Sequence, residues 1–362
     1  MKQQWTFDIN ALNRLDKLIG VISPSMEEFS MASYLREKWK EQSACVETDV
    51  MGNIYTSLDK KKEERLKMGI VSHMDTVGVQ ITNILPNGML QFRPIGLQPH
   101  TLLGQSMKVL TSKGLIDGVI GFDPTSQYGQ PKGLVLDDLW MDIGASNFEK
   151  ASGMVEVGNL AVLSPRFERM GDGYLSGTAI DNRIGLFILN ECLRWFTTHV
   201  PLINLYFIGT VQEEVGLRGA NTAIANLPID ACIILDVDYA TDTPASHENQ
   251  MGPLHLGKGV GLHAKADNNP VLRRIAKEVA DKQQIPYQMS LGRFTYGGTD
   301  ASPLQIQNGG VATLNVNIPC RYMHSPIEMC HKNDVETAIR LIIELVEEFG
   351  VRQQKTFIPG ID

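Results

Sequence analysis

The feature that most constrains this chain is a set of short apolar runs, each of which delivers charged or imidazole side chains at its far end. Residues 68–72 lead into His73, residues 202–211 lead into Gln212, Glu213 and Glu214, and residues 231–235 lead into Asp236, Val237 and Asp238. An apolar run without polar alternation suits a strand buried on both faces, as in the parallel core of an α/β sheet. A further run, 311–318, leads through Cys320 and Arg321 to His324. Ligands of open α/β sheets bind beyond the carboxyl ends of strands, so these polar groups are the first candidates for chemistry.

Around these runs the pattern alternates between helix and strand. Leu12, Leu15 and Ile19 fall at helical spacing, and Ser25 with Glu28 three residues on reads as a capping box opening a helix through Trp39. Val46, Thr48 and Val50 alternate before a Gly52-Asn53 turn and a strand over 54–58. A helix starting at Asp181 would carry Ile184, Phe187, Ile188 and Cys192 on one face, and a closing helix is expected over 334–349. Between residues 77 and 165 the texture changes to short apolar runs separated by turns at Pro86-Asn87-Gly88 and by glycines 104, 114, 118 and 121. This predicts hairpins forming a small β-barrel or sandwich inserted in an α/β body, because the stretch carries its own apolar residues. At roughly 150 residues per domain, a chain of 362 residues has room for both. The expected division is a first catalytic part at 1–75, the insertion at 76–165 and a second catalytic part at 166–362.

Composition narrows the function. Hydrophobic residues are 43% and charged residues 20%, ordinary for a folded globular chain. The net charge of −8 argues against nucleic acid as a partner, since such binders carry a basic surplus or stripe. Cys45, Cys192, Cys232, Cys320 and Cys330 are odd in number and contain no C-x-x-C pair, which speaks against a disulfide framework or a thiolate zinc site. Residues 1–10 do not read as a signal peptide, and the chain has no 18-residue uncharged apolar run. No membrane contact and a cytoplasmic location are therefore expected.

The chemistry-bearing set is His73, Asp75, Asp181, Glu213, Glu214, Asp236 and His324, imidazoles and carboxylates without thiolate. That donor set suits zinc, manganese or cobalt in an open hydrolytic site. One carboxylate shared between two ions would make a two-metal centre that activates water. Taken singly, several members have a plain structural use: Asp75 and Asp181 as caps, His324 as a surface loop residue. Glu213 and Glu214 are harder to explain that way, because adjacent buried carboxylates raise each other's pKa unless a cation compensates.

Six stretches in order, His73-Met-Asp75, Ala179-Ile-Asp181-Asn-Arg183, Gln212-Glu-Glu-Val-Gly216, Leu235-Asp-Val-Asp238, Gly297-Gly-Thr-Asp-Ala301 and Arg321-Tyr-Met-His-Ser-Pro326, resemble metallopeptidase family M forty-two. That family includes the tetrahedral aminopeptidases, glutamyl, lysyl and deblocking aminopeptidases, and some proteins described as endoglucanases. The resemblance implies a central mixed sheet flanked by helices, with a small β-barrel-like insertion that mediates dimers, some of which assemble into a dodecamer. It implies two divalent metal ions per subunit, zinc first, with cobalt or manganese as alternatives. His73 and Asp236 would hold one, Glu214 and His324 the other, and Asp181 would bridge them. Glu213 would be the general base, and Asp75 would accept a hydrogen bond from the far nitrogen of His73. It also implies a cis peptide between Asp181 and Asn182, with Asn182 standing where the family often has a second aspartate.

The activity so implied is removal of the N-terminal residue from peptides with a free N-terminus. Two alternatives share the residues: a two-metal deacylase or carboxypeptidase acting on N-blocked substrates and, from another class, a β-glycanase or an inactive scaffold. Histidines beside the acids and four scattered tryptophans disfavour the glycanase, and the complete ligand set disfavours the scaffold. Gly297 and Gly298 are read as a tight loop, with Thr299 and Asp300 supporting the site by hydrogen bonds. Arg293 and Arg321 have the chemistry to meet a substrate carboxylate, although arginines more often serve solvated or structural roles.

Overall fold

The computed structural model of the protein describes residues 5–42, 45–58, 65–123, 135–244, 246–293, 295–352 and 357–360. The chain opens with helices α1 (Ile9–Ile19) and α2 (Phe29–Lys40) and strands β1 (Val46–Thr48), β2 (Ile54–Leu58) and β3 (Lys67–His73). It then builds β4 (Gly78–Ile84), β5 (Leu90–Ile95), α3 (Pro99–Leu102), β6 (Ser106–Thr111), β7 (Gly114–Phe122), β8 (Leu139–Asp142), α4 (Phe148–Ser152) and β9 (Leu160–Leu163). The remainder comprises β10 (Phe167–Met170), β11 (Tyr174–Gly177), α5 (Ile180–Thr198), β12 (Asn204–Thr210), β13 (Ala231–Tyr239), α6 (Glu248–Met251) and β14 (Val260–Gly261). After these come α7 (Pro270–Gln283), β15 (Tyr287–Gln288), α8 (Ala301–Gln305), β16 (Ala312–Cys320), β17 (Glu328–His331) and α9 (Lys332–Arg352).

Among the described residues, eight strands form one mixed sheet in the order β1-β2-β12-β3-β13-β16-β14-β15. The central strands β12, β3, β13 and β16 run parallel, so their carboxyl ends lie along one edge. Alternation along these strands divides the apolar side chains between two faces. Ile70, Phe207, Ile233 and Leu314 join one core with α1, α2, α5, α7 and α9, while Val71, Ile208, Cys232 and Ile234 join a second core with Ile224 and with Ala301 and Leu304 of α8. Helix α5 is buried on nearly every side, between the sheet and helices α1 and α9. Its run from Ile184 to Leu189 is apolar all round, as a helix enclosed by its neighbours requires.

The hairpin-textured stretch folds as a closed barrel in the order β4-β5-β8-β7-β6-β9, around its own core of Val79, Ile81, Leu90, Met107, Val109 and Met141. Three differences from the sequence reading matter for the site. Ser25 and Glu28 do not form a capping box: α2 starts at Phe29 with no side-chain cap, and both residues turn to distant partners. The run at 231–235 does not stop before its acids, because β13 continues through Asp236 and Asp238 to Tyr239 in unbroken register with β16. The closing helix is longer than expected, Lys332–Arg352. Among the described residues, no helix is long and apolar enough to cross a membrane.

Candidate active site

The carboxyl edge of the sheet gathers the predicted residues into one cleft of about 410 Å³, lined by His73, Asp181, Glu213, Glu214, Asp236 and His324. His73 is the last residue of β3, Asp236 lies within β13, and Asp181 enters from the start of α5. The peptide joining Asp181 to Asn182 is cis, as the family resemblance implies.

Two clusters share a member. His73 Nε2 lies 3.2 Å from Asp181 Oδ1 and 3.6 Å from Asp236 Oδ1. His324 Nε2 lies 3.3 Å from Asp181 Oδ2 and 3.2 Å from Glu214 Oε2. Within each triplet, His73-Asp181-Asp236 and Asp181-Glu214-His324, the donor atoms all fall within 4.8 Å of one another. Glu214 Oε1 is buried with no hydrogen-bond partner among the described residues, a costly arrangement for a carboxylate oxygen unless a ligand meets it.

The electrostatics ask for cations. Burial pushes Glu214 up to about 7, with the Asp181 charge adding to the rise, and burial raises Glu213 and Asp236 as well. Burial alone would raise Asp181 too, but the imidazoles of His324 and His73 hold it below the usual carboxylate range. Burial would lower both imidazoles. Instead Asp181 and Glu214 carry His324 up to about 12, and Asp181, Asp236 and Asp75 raise His73. Imidazoles and carboxylates gathered in two triplets, together with the unpartnered Glu214 Oε1, form the kind of donor set that divalent metal takes, so the residues present fit such ions.

The supporting shell is polar and buried. Asp75 is fully enclosed: its Oδ1 accepts from Glu213 N at 3.0 Å, and its Oδ2 accepts from Glu214 N at 3.1 Å and from Ser25 Oγ at 2.7 Å. Its distance to His73 Nδ1 is 3.4 Å, so the grip on the Glu213-Glu214 backbone is tighter than the expected hold on the imidazole. Glu28 Oε1 accepts from Gln212 N at 3.0 Å. Three consecutive amides are thus held while the chain bends at Gln212, φ 56°, and that bend lets two adjacent glutamates serve one cleft.

Sequence reasoning missed Glu328. This buried residue of β17 accepts from Asp181 N at 2.9 Å through Oε2 and from His324 N at 2.8 Å through Oε1, so one carboxylate fixes the backbone of two cluster members. Its only signal in the sequence is an acid four residues after His324. Asn182 was noted for the charge it lacks, and the structure shows what it supplies: its amide donates to Leu235 O at 2.8 Å and Asp236 Oδ1 at 3.1 Å. Its Oδ1 accepts from Gly185 N at 2.9 Å, and a Cβ at 185 would stand 2.3 Å from that oxygen and 2.6 Å from Ser72 Oγ.

The remaining candidates divide. Gly297 and Gly298 both have positive φ, 78° and 72°, consistent with a tight loop. Thr299 donates to Asn315 Oδ1 at 2.9 Å, and Thr210 donates to Asp300. Arg321 is engaged by Asp242 through two bonds of 2.8 and 2.7 Å, which makes it structural; Arg293 lines the cleft.

Fold and site together define a peptidase, a hydrolase of the α/β type with an inserted barrel, and the similar proteins agree. The chain belongs to the M42 aminopeptidase family: the model described as M42 glutamyl aminopeptidase matches residues 52–341. A lysyl aminopeptidase of Pyrococcus furiosus is 34% identical over 312 residues, covering 84% of this chain and 87% of that protein. The TET aminopeptidase of the marine sediment archaeon Thaumarchaeota archaeon SCGC AB-539-E09 superposes with a TM-score of 0.90 at 30% identity, over 96% of this chain and 99% of that one. The Pyrococcus horikoshii TET1 peptidase, described as assembling into a tetrahedron or a large octahedral shell, superposes at 0.83 with 30% identity, over 93% and 99%.

Proposed function

We propose that this chain is a metal-dependent aminopeptidase that removes the N-terminal residue of peptides at a two-metal centre. The observation that carries the reading is the split of Asp181, whose Oδ1 faces His73 and whose Oδ2 faces His324, so that one carboxylate belongs to both triplets. Two divalent cations, zinc first, with cobalt or manganese as alternatives, would be held by His73 and Asp236, by Glu214 and His324, and by Asp181 between them, and when bound would lower the pKa of water and polarise a carbonyl.

The chain's own residues supply the proton chemistry. Glu213 lines the cleft beside the triplets without belonging to either, and burial raises its carboxyl above the usual carboxylate range. It takes a proton from the attacking water and hands it to the leaving amine. Asp75 holds Glu213 and Glu214 in place through their amides, and Glu328 does the same for Asp181 and His324.

The three-part division at 75 and 165 belongs to the same proposal, with the barrel as a dimerisation unit. Exposed Leu115, Val119, Phe148 and Val157 on the barrel support this, as does similarity to a shell-forming peptidase. A homo-oligomer, dimer or dodecamer, is expected, and a monomer mass in light scattering would remove it. An acidic net charge and five free cysteines favour a cytoplasmic setting without nucleic acid.

The test is a panel of amino-acyl anilides and their N-acetyl forms, run after chelation and after return of zinc, cobalt or manganese. The free amines should be cut only with metal and the blocked forms left intact. Cleavage of the blocked forms instead would install the deacylase or carboxypeptidase, and metal-independent cleavage of a β-glucan would install the glycanase.

A further inference from the structure

The cleft holds a carboxylate that neither the triplets nor the assigned base accounts for. Asp238 lines it beside Asp181, Glu214 and Asp236, yet it belongs to neither triplet, and of the motif Leu235-Asp-Val-Asp238 the chemistry so far uses Asp236 alone. Alternation along β13 puts Ile234, Asp236 and Asp238 on one face, and a strand rise of about 3.3 Å per residue sets Asp238 about 6.6 Å beyond Asp236. Its side chain is 15% exposed, on the cleft that it lines.

Asp238 is held from behind. Its Oδ1 accepts from Tyr239 N at 2.7 Å, and its Oδ2 lies 3.2 Å from Nδ1 of the buried His263. An anionic oxygen at that distance places the ring proton on Nδ1, so the imidazole donates to Asp238; the side-chain amide of Asn317, 3.1 Å from the same nitrogen, is a second polar neighbour. The ring sits in a slot that two glycines leave open. A Cβ at Gly261 would stand 3.0 Å from Nε2, and one at Gly292, where φ is 65°, would stand 3.1 Å from both Nδ1 and Asp238 Oδ2. A carboxylate has about four acceptor sites, and the contacts with Tyr239 and His263 leave some of them for a donor entering the cleft.

We infer that Asp238 anchors the α-ammonium group of the substrate, with His263 as its positioning residue. The inference rests on the aminopeptidase reading and assigns the group that recognises the free N-terminus. In an aminoacyl group the amine nitrogen lies about 3 Å from the carbonyl oxygen, and a carboxylate accepting from it stands about 3 Å further out, so the anchor belongs about 6 Å from the carbonyl oxygen that reacts beside Asp236. Asp238 stands that far along the strand. The ε-ammonium of a lysyl side chain lies several bonds beyond the Cα and overshoots that position. A blocked amine brings a neutral amide instead and leaves a buried carboxylate without its charged partner, which gives free amines their advantage.

Asp238→Asn keeps the shape and removes the charge. With leucyl anilide its kcat/KM should fall by about 10- to 100-fold, mostly as a raised KM, the scale of one charge-assisted hydrogen bond lost from binding, while elemental analysis finds both metals retained. Calorimetry supplies a readout apart from turnover. Leucinol should bind the metal-loaded protein more tightly than 4-methylpentan-1-ol, the same molecule without its amine, and Asp238→Asn should narrow that ratio by the same factor. His263→Phe, which fills the slot without a donor, should show a smaller loss of the same kind, and His263→Asn, whose amide nitrogen can stand near the place of Nδ1, should recover part of it.

An unchanged ratio of leucinol to 4-methylpentan-1-ol binding in Asp238→Asn would overturn the anchor while leaving the aminopeptidase reading intact. Loss of metal from that variant would overturn it too, by making Asp238 a support for Asp236. A fall confined to lysyl anilide, with leucyl anilide cut as before, would assign the acid to a substrate side chain and reject the α-ammonium. No cleavage of any free amine by the unaltered enzyme would overturn the aminopeptidase reading instead. The anchor would then be decided by leucinol: equal binding of the two alcohols rejects it, and a preference for leucinol that Asp238→Asn abolishes upholds it.

Discussion

The two halves of the centre are built on different supports. His73 and Asp236 stand on neighbouring parallel strands, their side chains 2% and 8% exposed, and backbone ladders set their positions, His73 beside Thr210 and Asp236 beside Asn317. Glu214 and His324 stand on connections that bend sharply, with Gln212, Tyr322 and His324 all at positive φ. Buried acceptors replace the ladder there: Glu28 and Asp75 hold residues 212–214, and Glu328 holds His324 and Asp181. A ladder spreads positional control over many bonds, whereas a clamp concentrates it in one side chain. The strand-borne half should therefore tolerate change in its surroundings, and the loop-borne half should fail one clamp at a time.

The largest break in that comparison is expected at Glu328. Both of its oxygens accept backbone N–H bonds, so Glu328→Gln turns one acceptor into a donor facing a donor. Metal affinity on the Glu214-His324 side, which loses the hold on both His324 and Asp181, should fall by about 10- to 100-fold, the usual cost of removing a partner that orients ligands, and the His73-Asp236 side, which shares only Asp181, should fall by less. A two-phase calorimetric metal titration checks this, and equal weakening of both phases would erase the distinction.

Gly185→Ala probes the strand-borne half in turn. Its Cβ would press on Asn182 Oδ1 and Ser72 Oγ, and overpacking of this kind costs about 1–3 kcal/mol. Thermal unfolding should show the loss, while metal binding at the His73-Asp236 side changes only a few-fold, because the ladder with β16 positions Asp236 even when its bond from Asn182 is disturbed. The mildest effect is expected from Ser25→Ala, which removes one of the bonds to Asp75 Oδ2 but leaves both backbone grips in place. A loss of about 1 kcal/mol in denaturant unfolding, with only a few-fold change in rate, would fit a single hydrogen bond.

The same division explains what could be read from the sequence. Uninterrupted apolar runs identify buried strands, and acids and histidines at their ends identify the edge where the site forms; the inserted barrel follows from its turn chemistry. Periodicity does not say where a ladder stops, and β13 runs on through Asp236 because β16 continues beside it. Ser25 and Glu28 satisfy the spacing of a capping box, yet each meets a partner far along the chain, Asp75 and Gln212, that no local pattern can encode. Glu328 is invisible for the same reason: an acid four residues after a histidine looks like any loop acid until the fold brings Asp181 to its other oxygen. Ligands tied to strands are legible, and the clamps that place the loops become visible only with the tertiary structure.

The adjacent glutamates test the account most directly. Glu214 faces His324 at 3.2 Å, and Glu213 lines the cleft as the assigned base. Glu213→Gln should retain both metals and lose at least about 10²-fold in kcat, the lower range of general base catalysis, whereas Glu214→Gln should lose the metal it shares with His324. Elemental analysis of both variants beside their peptidase rates decides the matter. A metal-replete but slow Glu213→Gln with a metal-depleted Glu214→Gln is the predicted result; the reverse pattern of metal content, or two fully active variants, would contradict it.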